Sequence, residues 1–237
     1  MTRTATVQQR STSGTSRQAR VPLDGRVLLK DRAYSELKQL IQDVTFEPGA
    51  FLSERQLAGH LGMSKTPVKA ALERLEMEGF IAVSPQQGIV VRELSVHEVA
   101  EQFEIRLTLE SHVLRSVAGQ LDDEQAAALK NSLKQQKQAA KRRDVAELVA
   151  LDAEFHMLFC QFHGNREITR VMSQLREKIH RVIGRVYQQQ PSRLGSSCDE
   201  HEAIVAAVLA GDADLSAQRL EEHLNFGRQY LLVPRGR

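Results

Sequence analysis

Asp152 and His156 stand four residues apart in Asp152-Ala153-Glu154-Phe155-His156, a spacing that projects both side chains from one side of a helix. They fall within the stripe Leu148, Leu151, Phe155 and Phe159, which should face a core, and a charge placed there needs a partner. His201 shares its stripe with Ile204, Val205 and Val208, and His223 sits beside Leu220 and Leu224. Any one of these histidines is most simply a hydrogen-bonded core residue. Three of them with a carboxylate make a donor set for a mononuclear divalent ion, with open positions for water or an anion. Such a centre could sense an anion, be purely structural, or activate water in a helical metal-dependent hydrolase. Only Glu154 and the Glu200/Glu202 pair stand near enough in sequence to serve as a general base, and they are expected to point to solvent.

A second group is basic. Arg55, Lys65, Thr66 and Lys69 fall at the starts of two consecutive short helices, and Lys65 and Lys69, four apart, share a face. Residues at the N-terminal end of a helix laid in the major groove reach base edges, while its free amides attract phosphate. A solvated lysine face is the alternative.

The elements that must carry these groups are legible from periodicity. Ala33, Leu37, Leu40, Ile41 and Val44 recur at helical spacing up to Glu47-Pro48-Gly49. Ser53-Glu54-Arg55-Gln56 reads as a capping box opening a short helix to about His60. Leu61-Gly62-Met63 makes a turn, and a third helix opens at Ser64 with Pro67 in its first turn and Val68, Ala71, Leu72 and Leu75 as its buried stripe. After Gly79, Phe80-Ile81-Ala82-Val83 and Gly88-Ile89-Val90-Val91 flank a Ser84-Pro85-Gln86-Gln87 turn as two short strands. Helix, helix, turn, helix, hairpin is the order of a winged helix-turn-helix, whose hairpin tip, here Gln87 and Gly88, would approach the minor groove or backbone. A protein-binding module is also compatible with that order. Beyond Ser95 the pattern is purely helical, with stretches at about 95–119, 122–142, 144–163, 166–190, 199–210 and 212–231. The fold class is therefore mainly α: a winged helix-turn-helix over 25–93, then an all-helical antiparallel bundle over 94–237.

The ends differ from both. Residues 1–24 are rich in Thr, Ser, Gln and Arg and too poor in apolar groups to repay ordering, so a disordered tail is expected, either solvated or touching DNA phosphates with its arginines. Leu232-Val233-Pro234-Arg235-Gly236 resembles a thrombin cleavage sequence, native or appended.

Charge sorts the same way. The net +2 of the 237 residues separates into 13 Lys/Arg against 9 Asp/Glu in residues 1–92 and 19 against 21 thereafter, so the basic excess lies with the tail and winged helix together. Aromatics at 5% and the absence of Trp favour helices over a β-barrel. Two cysteines without a CxxC pairing exclude a disulfide scaffold or a Cys-based zinc site. No apolar run is long enough for a membrane span, and no signal-peptide pattern opens the chain, so no membrane association and a cytoplasmic location are expected.

Three runs carry a family resemblance: Leu52-Ser53-Glu54-Arg55-Gln56-Leu57-Ala58, Leu61-Gly62-Met63-Ser64-Lys65-Thr66-Pro67-Val68-Lys69-Ala70-Ala71-Leu72, and Leu75-Glu76-Met77-Glu78-Gly79-Phe80. With Glu47-Pro48-Gly49 they resemble the winged helix of GntR-family bacterial transcription regulators, and the later helices resemble the FCD ligand-sensing domain of the FadR subfamily. The resemblance implies a DNA-binding regulator and not an enzyme: a homodimer on a palindromic operator, commonly a repressor released by a small carboxylate or sugar acid. Lys65 and Lys69 stand where the family usually has arginine, so the preferred operator is expected to differ from the common one. Asp152-Ala153-Glu154-Phe155-His156, His201 and His223 match the metal-binding branch of FCD domains, implying a divalent ion, zinc ahead of nickel or manganese. Glu104-Ile105-Arg106-Leu107-Thr108-Leu109-Glu110 resembles an opening motif of the sensing domain. Arg106 is then a candidate for pairing the effector carboxylate, or else for a salt bridge to Glu110. Asn165 matches a Gly-Asn helix break that capping suffices to explain.

Overall fold

A computed structural model describes residues 28–43, 45–84 and 88–232. The expectations for residues 1–24, Val44, Gln87 and 233–236 lie outside these.

Helix α1 (Leu29–Gln42) buries Ala33, Leu37 and Ile41 of the stripe read from the sequence, leaves Leu40 half-buried and adds Tyr34. It starts earlier than that stripe and stops before Glu47, whose Glu47-Pro48-Gly49 turn instead leads into a strand absent from the sequence reading, β1 (Phe51–Leu52). Ser53 then caps α2 (Glu54–Leu61): its hydroxyl accepts from the Gln56 amide while the Gln56 side chain accepts from the Ser53 amide. Gly62 takes the left-handed conformation that ends α2, and α3 (Lys65–Met77) follows Ser64 directly. Strands β2 (Ile81–Ser84) and β3 (Gly88–Val91) pair antiparallel, Ile81 opposite Val91 and Val83 opposite Ile89. β1 adds to the far edge of β3, giving the order β1-β3-β2. Two-residue β1 has too little alternation to register as a pattern; its pairing is set by the partner strand, not by its own residues. Val68, Ala71, Leu72 and Leu75 of α3 close one core with α1, Phe80, Ile81, Ile89 and Val91.

The remaining helices are α4 (Val96–Val117), α5 (Asp123–Arg142), α6 (Val145–His163), α7 (Arg166–Gln189), α8 (Arg193–Leu209) and α9 (Ala213–Leu232). Ser95 and Asp122 form capping boxes, and Asn165 caps α7 by accepting from the Glu167 and Ile168 amides. The six helices match those expected with one difference: α8 begins at Arg193, six residues ahead of the expected 199. The run Leu194-Gly195-Ser196-Ser197 reads as loop by propensity, but Arg193, Leu194, Ser197 and Cys198 are buried, and that packing outweighs the cost of Gly and Ser in a first turn. A large cluster built from α4 through α9, centred on Phe103, Val113, Phe155, Ile204 and Leu220, forms the second core. No helix among the described residues is long and apolar enough to cross a membrane.

Gly88 ties the wing to β1. Its φ is +88°, and a Cβ there would stand 2.8 Å from the Leu52 carbonyl oxygen, a backbone atom with no freedom to yield. Gly88→Ala is expected to destabilise the N-terminal unit by roughly 1–3 kcal/mol. An unchanged urea midpoint would contradict this.

Candidate metal centre and nucleic-acid interface

The residues expected to face DNA come first in the chain. Arg55 lies in the first turn of α2, Lys65 and Thr66 open α3, and Lys69 follows one turn later; all four are exposed, and none is drawn into the winged-helix core. Val68 is completely buried between them, so the face that holds α3 in the domain leaves the lysine face outward. Gly88 begins the wing strand. α3 thus presents a basic N-terminal turn, the arrangement a groove-reading helix uses.

Four helix faces meet in the second domain. α6 supplies Asp152 and His156, α8 supplies His201 and α9 supplies His223; all four are buried, with donor atoms within 4.8 Å of one another. Sequence spacing could pair Asp152 with His156, but only the packing of α8 and α9 on α6 brings in the other two.

What fixes the imidazoles is a set of partners behind them. His156 Nδ1 is 2.6 Å from Glu110 Oε2, His201 Nδ1 is 2.6 Å from Gln136 Oε1, and His223 Nδ1 is 2.7 Å from Glu200 Oε2. Each partner atom is an acceptor, so each Nδ1 carries the proton and each Nε2 of a neutral ring presents a lone pair. Those lone pairs point inward. His201 Nε2 and His223 Nε2 are 3.2 Å apart, His201 Nε2 is 3.6 Å from Asp152 Oδ1, and His156 Nε2 is buried with no hydrogen-bond partner. Lone pairs brought together in a dry space repel unless a cation stands between them. Two imidazole nitrogens bound tetrahedrally to one ion at zinc distances would be about 3.3 Å apart. The residues therefore fit a divalent ion, which could be held by Asp152, His156, His201 and His223.

Burial, then the mutual proximity of His223 and His156, holds the His201 pKa well below the usual imidazole range, and burial also lowers that of His223. Both are thus neutral at physiological pH, the state a metal ligand needs. Glu110 is pulled the other way: burial opposes its charge, but Arg106 and His156 outweigh burial and bring its pKa down to about 2. Asp152 accepts a hydrogen bond from the Tyr187 hydroxyl at 3.0 Å.

Arg106 is buried and donates from Nε to Glu110 Oε1 at 2.7 Å, the salt bridge that stood as one of its two readings. It also borders two small cavities on either side of the cluster, each of about 20 Å³, room for about one water. The first is walled by Arg106, Asp152, His156, Met172, Ile179 and His180. The second is walled by Arg106, Asp152, Tyr187, Arg193, His223 and Phe226.

Glu200 departs from expectation. It is half-buried and joins His223 and the buried guanidinium of Arg193, because α8 starts early enough to bring Arg193 alongside it. Glu202 is exposed and pairs with Lys137, and Glu154 is exposed, as expected. Glu110, Gln136 and Glu200 were not singled out as site residues. Glu110 had a signal in its spacing from Arg106, and Glu200 in its adjacency to His201, but Gln136 sits in a glutamine-rich polar helix that gives no hint of burial. His180 lines the first cavity.

Likeness to known proteins decides the family. Residues 101–226 match the FCD domain, and residues 29–91 match the family of bacterial regulatory proteins, gntR. The chain belongs to the GntR family of transcription regulators and carries an FCD domain. It is 30% identical over 179 residues to the Nta operon transcriptional regulator of Aminobacter aminovorans, covering 76% of this chain and 83% of that one. It is 26% identical over 198 residues to the HTH-type transcriptional repressor RspR of Escherichia coli, covering 83% and 86%. The solved structure of E. coli McbR/YncC superposes with a TM-score of 0.75 at 25% identity, covering 87% of this chain and 98% of that one. The hydrolase alternative falls with this membership: the relatives are regulators, and the carboxylates nearest the cluster, Glu110 and Glu200, are committed to imidazole and arginine rather than free to take a proton from water.

If Gln136 orients His201, Gln136→Leu should lower zinc affinity by roughly 10- to 100-fold while the protein remains folded. Competition against a chromogenic chelator measures this; wild-type affinity in the variant would refute the role.

Proposed function

We propose that this regulator is a homodimer in which residues 25–93 read an operator and residues 94–237 sense a small carboxylate or sugar acid at a divalent metal. The observation that carries the reading is the convergence of three inward imidazole lone pairs and Asp152 beside a buried arginine, within a chain whose relatives regulate transcription. Zinc suits the donor set best, with nickel or manganese as alternatives. When bound, the ion supplies a positive centre that can hold an anionic oxygen.

Charge supports an anionic effector. Around the cluster the two guanidinium groups of Arg106 and Arg193 face the three carboxylates of Asp152, Glu110 and Glu200. With neutral histidines the surroundings carry a net −1, which a divalent ion converts to +1 and a monoanion neutralises. Arg106 borders both cavities and is the side chain to pair the acid's carboxylate. His156, His201, His223 and Asp152 hold the ion, and Tyr187 orients Asp152.

On DNA, Lys65, Thr66 and Lys69 contact base edges, Arg55 and the wing at Gln87 and Gly88 contact the backbone, and the two protomers take the two halves of a near-palindromic site. The acid lowers operator affinity only by binding the DNA-incompetent arrangement more tightly. The effector relieves repression, and the E. coli relative RspR is likewise a repressor.

Two measurements test this. The protein should retard DNA from its own promoter region, with affinity falling on the order of a thousandfold or more between about 50 and 200 mM salt. Lys65→Ala and Lys69→Ala should each weaken that binding by roughly 10-fold or more, and specific binding retained in both would refute the interface. Metal analysis should find one ion per protomer, lost in His201→Ala. A wild type that takes up no divalent ion would end the sensor reading.

A further inference from the structure

Helix α7 contributes no residue to the metal cluster, yet it touches both halves of the molecule. Along one side, Met172, Arg176, Ile179, His180 and Ile183 wall the cavity beside Asp152 and His156. On an adjacent side Glu177 reaches the winged helix: its Oε2 is 2.6 Å from Nζ of Lys38 on α1. The Gln42 side-chain amide donates to the Glu177 carbonyl at 3.5 Å, and Asp43, at the end of the same helix, lies close enough to His180 to act on its charge. One turn of α7 thus bears on the cavity and on the last turns of α1 together.

Lys38 is built to be shared. It is 8% exposed, and its ammonium also donates to Tyr34 Oη at 2.5 Å and Glu78 Oε2 at 3.2 Å, while Tyr34 donates to Glu78 at 2.6 Å. Burial works against that charge, and the bonds from Glu177 and Tyr34 more than offset it. If Glu177 leaves, Tyr34 and Glu78 remain, both within the winged helix. The ammonium is not stranded, so the contact can be broken without unfolding either unit.

The cavity supplies the force. Its roughly 20 Å³ admits about one water. Any acid with a carboxylate and a carbon chain exceeds that, and the wall opposite the ligand helix α6 is α7. We propose that Glu177 is a positioning residue that latches the winged helix to the sensor domain through Lys38, and that an acid entering the cavity pushes α7 outward and releases the latch. This rests on the effector reading above. It also gives that reading what coupling requires, an element with two arrangements that both sites bias.

The test uses the full-length, zinc-loaded protein with spin labels at Glu73→Cys on α3 and Lys130→Cys on α5. Both positions are exposed, whereas the native Cys160 and Cys198 are buried. Double electron–electron resonance distances between the labels are compared for the wild-type latch and Glu177→Gln, with and without lactate, malate or gluconate, each first tested for raising the melting temperature. The expected result is a narrow distribution that broadens or shifts in Glu177→Gln. A stabilising acid should move the latched protein toward the variant's distribution and leave the variant unmoved. Identical distributions with and without the substitution overturn the latch, whatever the acids do. An acid that stabilises the protein but leaves the latched distance unchanged, or that shifts Glu177→Gln as fully as the parent, overturns the coupling. Failure of every acid to stabilise the protein counts instead against the effector reading, since the acid-free comparison decides the latch by itself.

Discussion

The FCD domain depends on where three protons sit. Glu110, Gln136 and Glu200 each hold an imidazole by Nδ1, and this turns three Nε2 lone pairs toward Asp152 in a space closed to solvent. Imidazole nitrogens converging in a dry core are a poor end state: the groups are desolvated and, at His156 Nε2, unpaired. A divalent ion resolves that conflict. Burial, which would simply penalise a structural histidine, here keeps His201 and His223 deprotonated and so ready as ligands. The remaining parts follow from protecting this arrangement. Arg106 and Arg193 neutralise the carboxylates that anchor His156 and His223, and Tyr187 and Ser197 hold Asp152 through a 2.8 Å and a 3.0 Å hydrogen bond in series.

The helical bundle is what makes such a set affordable. α6 carries two donors at i and i+4, and α8 and α9, packed on each other, bring one each from the opposite side. Phe155 stacks on the His201 ring at 4.3 Å and Phe159 packs edge-on against Phe155, so the apolar stripe that positions α6 also orients a ligand. Packing and coordination use the same residues. A site assembled this way moves only with its helices; α7 walls the cavity beside it and is tied to it through the Tyr187–Asp152 hydrogen bond.

Much of this was legible in the sequence. The capping box at Ser53, the turn at Gly62 and the stripe from Val68 to Leu75 define the winged helix through local rules of spacing and capping, and they fixed α2 and α3 to within a residue or two. The candidate ligands Asp152, His156, His201 and His223 were visible as polar residues on apolar stripes. What escaped was non-local. β1 exists because β3 offers it an edge, α8 starts early because its first turn is buried, and Gln136 becomes a site residue only when α5 lies against α8. Glu200 was misplaced for the same reason: a carboxylate next to a histidine says nothing of its direction until Arg193 stands beside it. Arg106 kept two readings in the sequence, and the Glu110 bridge decides its resting partner while leaving it at the cavity wall.

The buried cluster turns on the ion. X-ray absorption at the zinc edge of the protein loaded with one equivalent is the most direct measurement. It should show three imidazole nitrogens and at least one oxygen at about 2.0–2.2 Å, without sulfur. A spectrum lacking histidine scattering, or one unchanged between wild type and His223→Ala, would contradict it.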